Sequence, residues 1–242
     1  MLLLTRALAA IEPGSPAERP LAVRKWRMTA GWRARIDWGR LVMVPGAVLV
    51  ALIDLAQLTG RTGAGAAGLL RTAGTALTVL FYLLIIWCYL RRKRAVATTT
   101  SVTAHIAAVA ATLGPLGFPL LPAATPPPGR QLAADLLLIA GLAWCLWALG
   151  ALGPNLSVLA QARGLADRGP YRLVRHPLYT GELVSALGLA VVVGTPEAAA
   201  VWVGLCGLQV YRAVREEELL LRALPGYPAY RGRTAALVPG VF

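Results

Sequence analysis

A polar, basic stretch from Asp167 to Glu182, D-R-G-P-Y-R-L-V-R-H-P-L-Y-T-G-E, lies between two apolar parts of the chain. Gly-Pro at 169–170 predicts a tight turn, and the proline after His176 is typical of the first position of a helix. The first N–H groups of a helix are unpaired and its dipole is positive there, so we expect an anion-binding site, with Arg172 and Arg175 adding positive charge. The alternative is a cytoplasmic loop whose basic residues serve membrane orientation only.

A second polar cluster, R-A-V-R-E-E-E-L-L-L-R, occupies residues 212–222. Arg212 and Glu216 are four positions apart and therefore share a helix face. The simplest alternative is an exposed helix end that carries an ion pair between these two residues. The segment L-P-G-Y-P-A-Y-R and the terminal L-V-P-G-V-F follow, and we expect this tyrosine- and proline-rich end to fold over another part of the protein.

Composition predicts an integral membrane protein. Of the 242 residues 57% are hydrophobic, and the mean hydropathy of +0.62 exceeds that of ordinary soluble domains. The net charge of +13 does not indicate nucleic-acid binding, because the charges cluster at the ends of apolar segments. Cys88, Cys145 and Cys206 lie inside apolar segments without paired spacing, so the sequence predicts neither a disulfide framework nor a metal site.

Four apolar segments predict membrane-spanning helices over residues 41–58, 73–90, 102–121 and 132–152, with a Gly/Ala-rich loop at 60–71. The third should break at Gly114-Pro115 and Pro119. The first carries Asp54, and a carboxylate in a span is costly and often functional, although this one lies near an end that could reach water. Two shorter apolar segments, 183–193 and 198–211, flank the turn G-T-P-E and predict a helical hairpin that extends from Pro177 through the glutamate cluster.

The sequence thus predicts an all-α integral membrane protein with about six transmembrane helices, the last two forming a helical hairpin. If both termini are cytoplasmic, 21 of the 24 Lys and Arg residues lie on the inner side. This asymmetry favours that orientation and puts both polar clusters on the cytoplasmic face. Residues 1–40, which contain eight of these basic residues and several tryptophans, predict an interfacial segment.

The motifs R-G-P-Y-R-L-V-R-H-P-L-Y-T-G-E, R-x-x-x-E-E and Y-x-x-Y, with the terminal Val-Pro, resemble the isoprenylcysteine carboxyl methyltransferase family. They are also similar to related bacterial membrane methyltransferases and phospholipid methyltransferases. The resemblance covers roughly residues 155–242. It implies S-adenosylmethionine as methyl donor, bound on the cytoplasmic face under a C-terminal cap. It further implies a lipophilic or lipidated acceptor from the bilayer and a cofactor-binding catalytic region at 153–242. This region follows the four helices predicted from hydropathy at 41–152, and the two form one structural domain. The Ala-, Arg- and Gly-rich composition favours a bacterial protein and therefore an inner membrane.

Carried over by motif, the resemblance implies that Arg212 faces the methyl acceptor. The implied cofactor-binding residues are Gln161, Arg163, Gly164, Leu165, Ala166, Tyr171, His176, Pro177, Leu178, Tyr179 and Glu216. The chemistry of these side chains agrees, because Glu216 suits the ammonium or a ribose hydroxyl of the cofactor and the tyrosines offer aromatic faces and hydroxyls. An acceptor carboxylate is already ionised at neutral pH, so catalysis requires alignment rather than a strong base.

Several other functions remain open. Within methyl transfer, carboxyl O-methylation of an isoprenylcysteine-like acceptor competes with N-methylation of a phospholipid or other amine and with S-methylation of a thiol. A membrane reductase of the sterol-reductase kind would use a nicotinamide cofactor, although no G-x-G-x-x-G motif in a dinucleotide-binding context occurs. A transporter or structural membrane protein would explain the spans but not the two polar motifs on one face.

Overall fold

The computed structural model describes residues 38–60 and 65–238. This part contains seven α-helices and one antiparallel pair of two-residue strands, β1 with β2. The helices are α1 (Trp38–Gly60), α2 (Gly65–Arg91), α3 (Val102–Leu113), α4 (Pro128–Leu152), α5 (Pro177–Val193), α6 (Pro196–Ala223) and α7 (Tyr227–Arg231). The strands are β1 (Ala97–Thr98) and β2 (Gln161–Ala162), and short 3-10 segments cover Gly114–Leu120, Gly153–Asn155 and Gly169–Arg172.

Within the described residues, four helical segments are long and apolar enough to cross a membrane: Gly39–Leu58, Gly65–Arg91, Val102–Leu120 and Pro128–Asn155. Helix α5 is a shorter apolar helix, and α6 is long but ends in the charged glutamate cluster. Many large apolar side chains on α1 and α2 face outward, as expected for contact with lipid. The prediction of an all-α membrane protein is confirmed, whereas most of the predicted interfacial segment 1–40 lies outside the described residues.

The predicted loop at 60–71 is partly wrong, because α2 begins at Gly65. Alanine and leucine favour helix in this stretch. Further along α2, Gly74 packs against Leu138 of α4, and a Cβ at Gly74 would make an ordinary van der Waals contact with Leu138 at 3.6 Å. Helix α4 likewise starts at Pro128, earlier than predicted, because proline suits the first helical position. The predicted break after α3 is confirmed, since the chain continues from Gly114 as a 3-10 segment that contains two prolines.

The predicted helical hairpin consists of α5 and α6. Gly194 ends α5 in the left-handed conformation with φ of 69°, which glycine adopts without the Cβ clash that other residues meet. The Thr195 side chain accepts a hydrogen bond from the backbone N–H of Ala198 and so caps α6. The two helices therefore run back in opposite directions and bring residue 177 and the glutamate cluster to the same end of the protein.

Helices α4 and α5 approach each other closely along a row of glycines. A Cβ on Gly141 would lie 2.7 Å from the carbonyl oxygen of Gly181, and one on Gly188 would lie 2.8 Å from that of Ala134. Small residues allow this backbone contact, which is a common way to join helices in membranes. The indole N–H of Trp144 also donates to the carbonyl of Pro177 over 2.9 Å. Helix α4 therefore fixes the first turn of α5.

Candidate cofactor pocket and adjoining cavity

His176 is the residue before the first turn of α5, and its contacts are with the C-terminal segment and the glutamate cluster. Its backbone N–H donates to the carbonyl of Ala236 over 3.0 Å. Its ring is buried, its Nε2 lies 3.2 Å from Oε1 of Glu217, and the ring stacks on Tyr179 with centroids 5.3 Å apart. The ring is thus held on two sides, between a carboxylate and an aromatic face.

Arg175 binds the C-terminal segment and does not present its charge to an anion at the helix start. Its Nε donates to Oε1 of Glu217 over 2.7 Å, and an Nη donates to the carbonyls of Arg231 and Thr234. The Nε of Arg231 lies 3.2 Å from the other oxygen of Glu217. Burial raises the pKa of Glu217, but the hydrogen bonds and charges of His176 and Arg175 outweigh burial and lower it overall.

The residues after α6 form a cap over the polar ends of α5 and α6. Tyr227 and Tyr230 of α7 are buried, and the Tyr230 hydroxyl donates to the carbonyl of Tyr171 over 2.7 Å. Further along, a parallel bridge joins Val174 to Ala235. The predicted C-terminal cap is therefore present, and the tyrosines supply its buried surface.

A small pocket lies beneath this cap, with a volume of about 70 Å³. Among the residues predicted to bind the cofactor, the following line it: Gln161, Arg163, Gly164, Leu165, Ala166, Tyr171, His176, Leu178, Tyr179 and Glu216. Pro177 is not among the lining residues; it is buried and its carbonyl accepts from Trp144. Three segments that are distant in sequence, the strip at 161–166, the start of α5 and the glutamate cluster of α6, thus meet at one pocket.

The strip at 161–166 is held by the strand pair and by side-chain contacts. Gln161 of β2 pairs with Thr98 of β1. Oε1 of Gln161 accepts from the Ser157 hydroxyl over 2.9 Å and from an Nη of Arg163 over 2.5 Å. At Gly164 a Cβ would lie 3.1 Å from the side-chain oxygen of Asn155, so a larger residue would press on the pocket wall.

Oδ1 of Asn155 and the hydroxyl oxygen of Tyr227 are buried at the small pocket and have no hydrogen-bond partner among the described residues. Buried polar groups are nearly always paired, so these atoms indicate a polar ligand. Burial, reinforced by the charge of Glu217, raises the pKa of Tyr227, so its hydroxyl stays protonated and able to donate at neutral pH. Both residues belong to the site and were not among those predicted.

A large cavity, of about 1280 Å³, adjoins the small pocket. Most of the residues that line it are apolar, and they come from α1 to α6, the 3-10 segment after α3 and residues 156–158. Four residues line both spaces: Leu156, Ser157, Leu178 and Tyr179. A polar pocket under the cap and an apolar cavity among the helices therefore share one wall.

Arg212 and Glu216 lie on different sides of that wall. The Arg212 guanidinium lines the large cavity, lies over the Tyr179 ring at 4.5 Å and is 3.9 Å from Oε2 of Glu182. Glu216 lines the small pocket and accepts the Tyr179 hydroxyl over 2.7 Å. The predicted alternative, an ion pair between Arg212 and Glu216, is absent from the described residues, where the partner of Arg212 is Glu182.

Further contacts hold the Arg212 guanidinium in one orientation. One nitrogen donates to Oε1 of Gln209 over 2.9 Å and another to the carbonyl of Val158 over 3.2 Å. Gln209 in turn donates to Oε2 of Glu182 over 2.5 Å. Only weak signals in the sequence indicate these residues: Gln209 precedes Arg212 by three positions on the same helix, and Glu182 ends the first polar motif.

Comparison with known proteins gives two similarities. The model of the PEMT family, described as phospholipid methyltransferase, matches residues 130–224, which include α4, the strip at 161–166, α5 and α6. The cobalt-zinc-cadmium resistance protein CzcN of Cupriavidus metallidurans is 38% identical over 77 residues. That alignment covers 31% of this chain and 35% of CzcN, so the chain spans about a third of the length of this curated relative.

Proposed function

We propose that this chain is an integral membrane methyltransferase that uses S-adenosylmethionine and acts on a lipophilic acceptor. The observation that carries the proposal is the shared wall at Tyr179, where a polar pocket under the cap adjoins a large apolar cavity. A polar donor and an apolar acceptor could meet there with water excluded, which is what transfer by alignment requires. The similarity of residues 130–224 to phospholipid methyltransferases adds support.

The side chains of the small pocket fit the cofactor. In this proposal S-adenosylmethionine supplies a methyl group already activated on a sulfonium. Glu216 suits its ammonium or ribose hydroxyls, and the unpartnered oxygens of Asn155 and Tyr227 offer an acceptor and a donor. The pocket volume of about 70 Å³ is below the roughly 300 Å³ at the lower end of ligand sites, so the pocket would have to widen to hold the whole cofactor.

Arg212 would hold the acceptor carboxylate from the cavity side. This role favours carboxyl O-methylation of an isoprenylcysteine-like or other lipophilic acid. A guanidinium already fixed by Gln209 and Val158 loses little further freedom when it binds a carboxylate. The second candidate is N-methylation of a phospholipid or another amine. Glu182 favours it, because this carboxylate lines the cavity beside Arg212 and suits an ammonium.

The proposed location is a bacterial inner membrane with the pocket on the cytoplasmic face, where the cofactor is available. The excess of Lys and Arg at the ends of the helices on that side supports it.

The test is methyl transfer by the full chain in lipid nanodiscs. The purified protein is incubated with S-adenosylmethionine labelled in its methyl group and with a lipid extract, and label in the organic phase is counted. Mild alkali then separates the two candidates, because a carboxyl methyl ester releases labelled methanol and an N-methyl group does not.

Glu216→Gln is the matched control for cofactor use. Label that depends on Glu216 and that alkali releases supports carboxyl methylation, and alkali-stable label supports the amine alternative. No transfer of label, together with tight binding of NADPH, would refute the methyltransferase in favour of a reductase.

A further inference from the structure

The large cavity has an acidic group among its apolar walls, near the end of α1. Asp54 of α1 lines it, and Oδ2 of this side chain is shielded from solvent without a hydrogen-bond partner among the described residues. Gln57, almost one turn further along α1, also lines the cavity. A carboxyl group inside a membrane span is costly unless it binds something, so its orientation towards an open cavity indicates a ligand group there.

The neighbouring polar side chains do not satisfy Asp54. Thr72, Thr75 and Thr78 of α2 line the same cavity, but each hydroxyl donates to the carbonyl four residues earlier in its own helix, over 2.9 to 3.0 Å. Asp135 of α4 lines the cavity too, and its Oδ1 already accepts from Gln131. Asp54 therefore keeps its acceptor capacity for a molecule in the cavity.

The separation of Asp54 and Arg212 can be estimated along α1. The Nε of Arg40, near the start of α1, donates to the carbonyl of Tyr89 over 3.0 Å. The Tyr89 hydroxyl accepts from the N–H of Val158, whose carbonyl accepts from Arg212, so Arg40 and Arg212 are both linked to Tyr89. Asp54 is fourteen positions after Arg40 in the same helix, which at 1.5 Å per residue is about 21 Å.

We propose that the acceptor is a two-ended amphiphile with an apolar chain about 20 Å long, the distance estimated from the helix rise. The group to be methylated lies at Arg212, and a hydroxyl at the other end donates to Asp54. A hydroxyl fits better than an ammonium, because a single shielded oxygen lacks a partner and a neutral donor costs less to desolvate. The inference rests on the proposed function for what happens at the Arg212 end, but not for binding at the Asp54 end.

The test compares two probes that differ at the far end, ω-hydroxyhexadecanoic acid and hexadecanoic acid. Binding of each labelled probe to the full chain in nanodiscs is measured without cofactor, and binding to empty nanodiscs is subtracted. We expect the hydroxyl probe to bind the wild type about tenfold or more tightly, as for a hydrogen bond to a charged group. Asp54→Leu should abolish the preference and leave hexadecanoic acid bound at least as well. Equal binding of both probes by the wild type, or a preference that survives Asp54→Leu, would overturn the inference.

Two further variants guard against a folding artefact. Asp54→Asn keeps the size of the side chain and removes its charge, so the preference should fall to a few-fold; an undiminished preference counts against the inference. Val50→Ala, one turn earlier on α1 and lining the same cavity, should weaken both probes alike. Because binding needs no cofactor, a retained preference without methyl transfer refutes the methyltransferase, and methyl transfer without a preference refutes this inference.

Discussion

Glu216 and Arg212 lie about one helical turn apart on α6, yet the structure connects them to different spaces, and this separation can be tested. In the wild type the Tyr179 hydroxyl donates to Glu216 over 2.7 Å. Glu216→Gln keeps an acceptor for this hydroxyl but removes the negative charge from the small pocket. A charge-assisted hydrogen bond contributes about 1.5–3 kcal/mol, which corresponds to roughly 10- to 150-fold weaker cofactor binding. Turnover at saturating cofactor should change much less.

Arg212→Lys should have the opposite effect. The lysine ammonium can replace the charge near Glu182, but it cannot bind Gln209, the Val158 carbonyl and an acceptor in the planar arrangement of a guanidinium. We expect cofactor affinity within about twofold of the wild type and kcat/KM for the acceptor lower by about tenfold or more, the loss of one charged hydrogen bond.

The assay pairs calorimetric titration of S-adenosylmethionine in detergent with methyl transfer in nanodiscs, for each single variant. Arg215→Ala is the control, because Arg215 is on the same helix but forms a partly exposed pair with Glu218 over 3.1 Å. Such a pair contributes at most about 1 kcal/mol to stability, and its loss should alter neither readout. Equal loss of cofactor affinity in the Glu216 and Arg212 variants would refute the separation of roles. Unchanged behaviour of both would make the cluster a structural helix end.

Three other results are expected. Gly141→Ala would put a Cβ 2.5 Å from a backbone nitrogen of α5, so a thermal or denaturant assay should show a free energy of unfolding lower by about 1–3 kcal/mol. Gly150→Ala, which has open space around its Cβ, should be neutral or stabilising. Equal effects of the two substitutions would contradict the close packing. The folded pKa of Glu217 is below its ordinary value, so its contribution to stability is present above the unfolded pKa of about 4.5 and is lost as pH falls through the folded pKa. The melting temperature of Glu217→Gln should therefore be lower than that of the wild type at pH 7, by a difference that shrinks in acid. A difference that stays constant with pH would contradict this. Single cysteines at Ala66 and Ala124, in a background without other cysteines, should react with an impermeant reagent from outside the cell, and labelling from the cytoplasm only would reverse the proposed orientation.

Local sequence patterns predict the helices well, because the driving terms are local. Long uncharged segments need helical backbone to pair their N–H and C=O groups in a membrane, whichever neighbours they have. The hairpin of α5 and α6 followed in the same way from Pro177 and the turn around Gly194. The boundaries shifted at α2 and α4, where alanine- and proline-containing flanks extend the helices further than hydropathy indicates.

Motifs also predict which residues line the small pocket, but not how they are used. Arg175 could be identified as a positive charge near a helix start, yet its partners, Glu217 and the carbonyls of the cap, come from more than forty residues away. The local sequence around Arg175 would be the same whether its guanidinium bound an anion or the cap. The choice depends on where the C-terminal segment folds.

Tertiary packing decided the remaining features, because they depend on the rotation and spacing of helices about their axes. The close approach of α4 and α5 at Gly141 and Gly181 sets the depth at which Tyr179 separates the small pocket from the large cavity. In sequence, Asp54 is a carboxylate near the end of a span, with water as a plausible partner. In the folded protein it lines the same cavity as Arg212, and that relation exists only once α1, α2, α5 and α6 surround a common space.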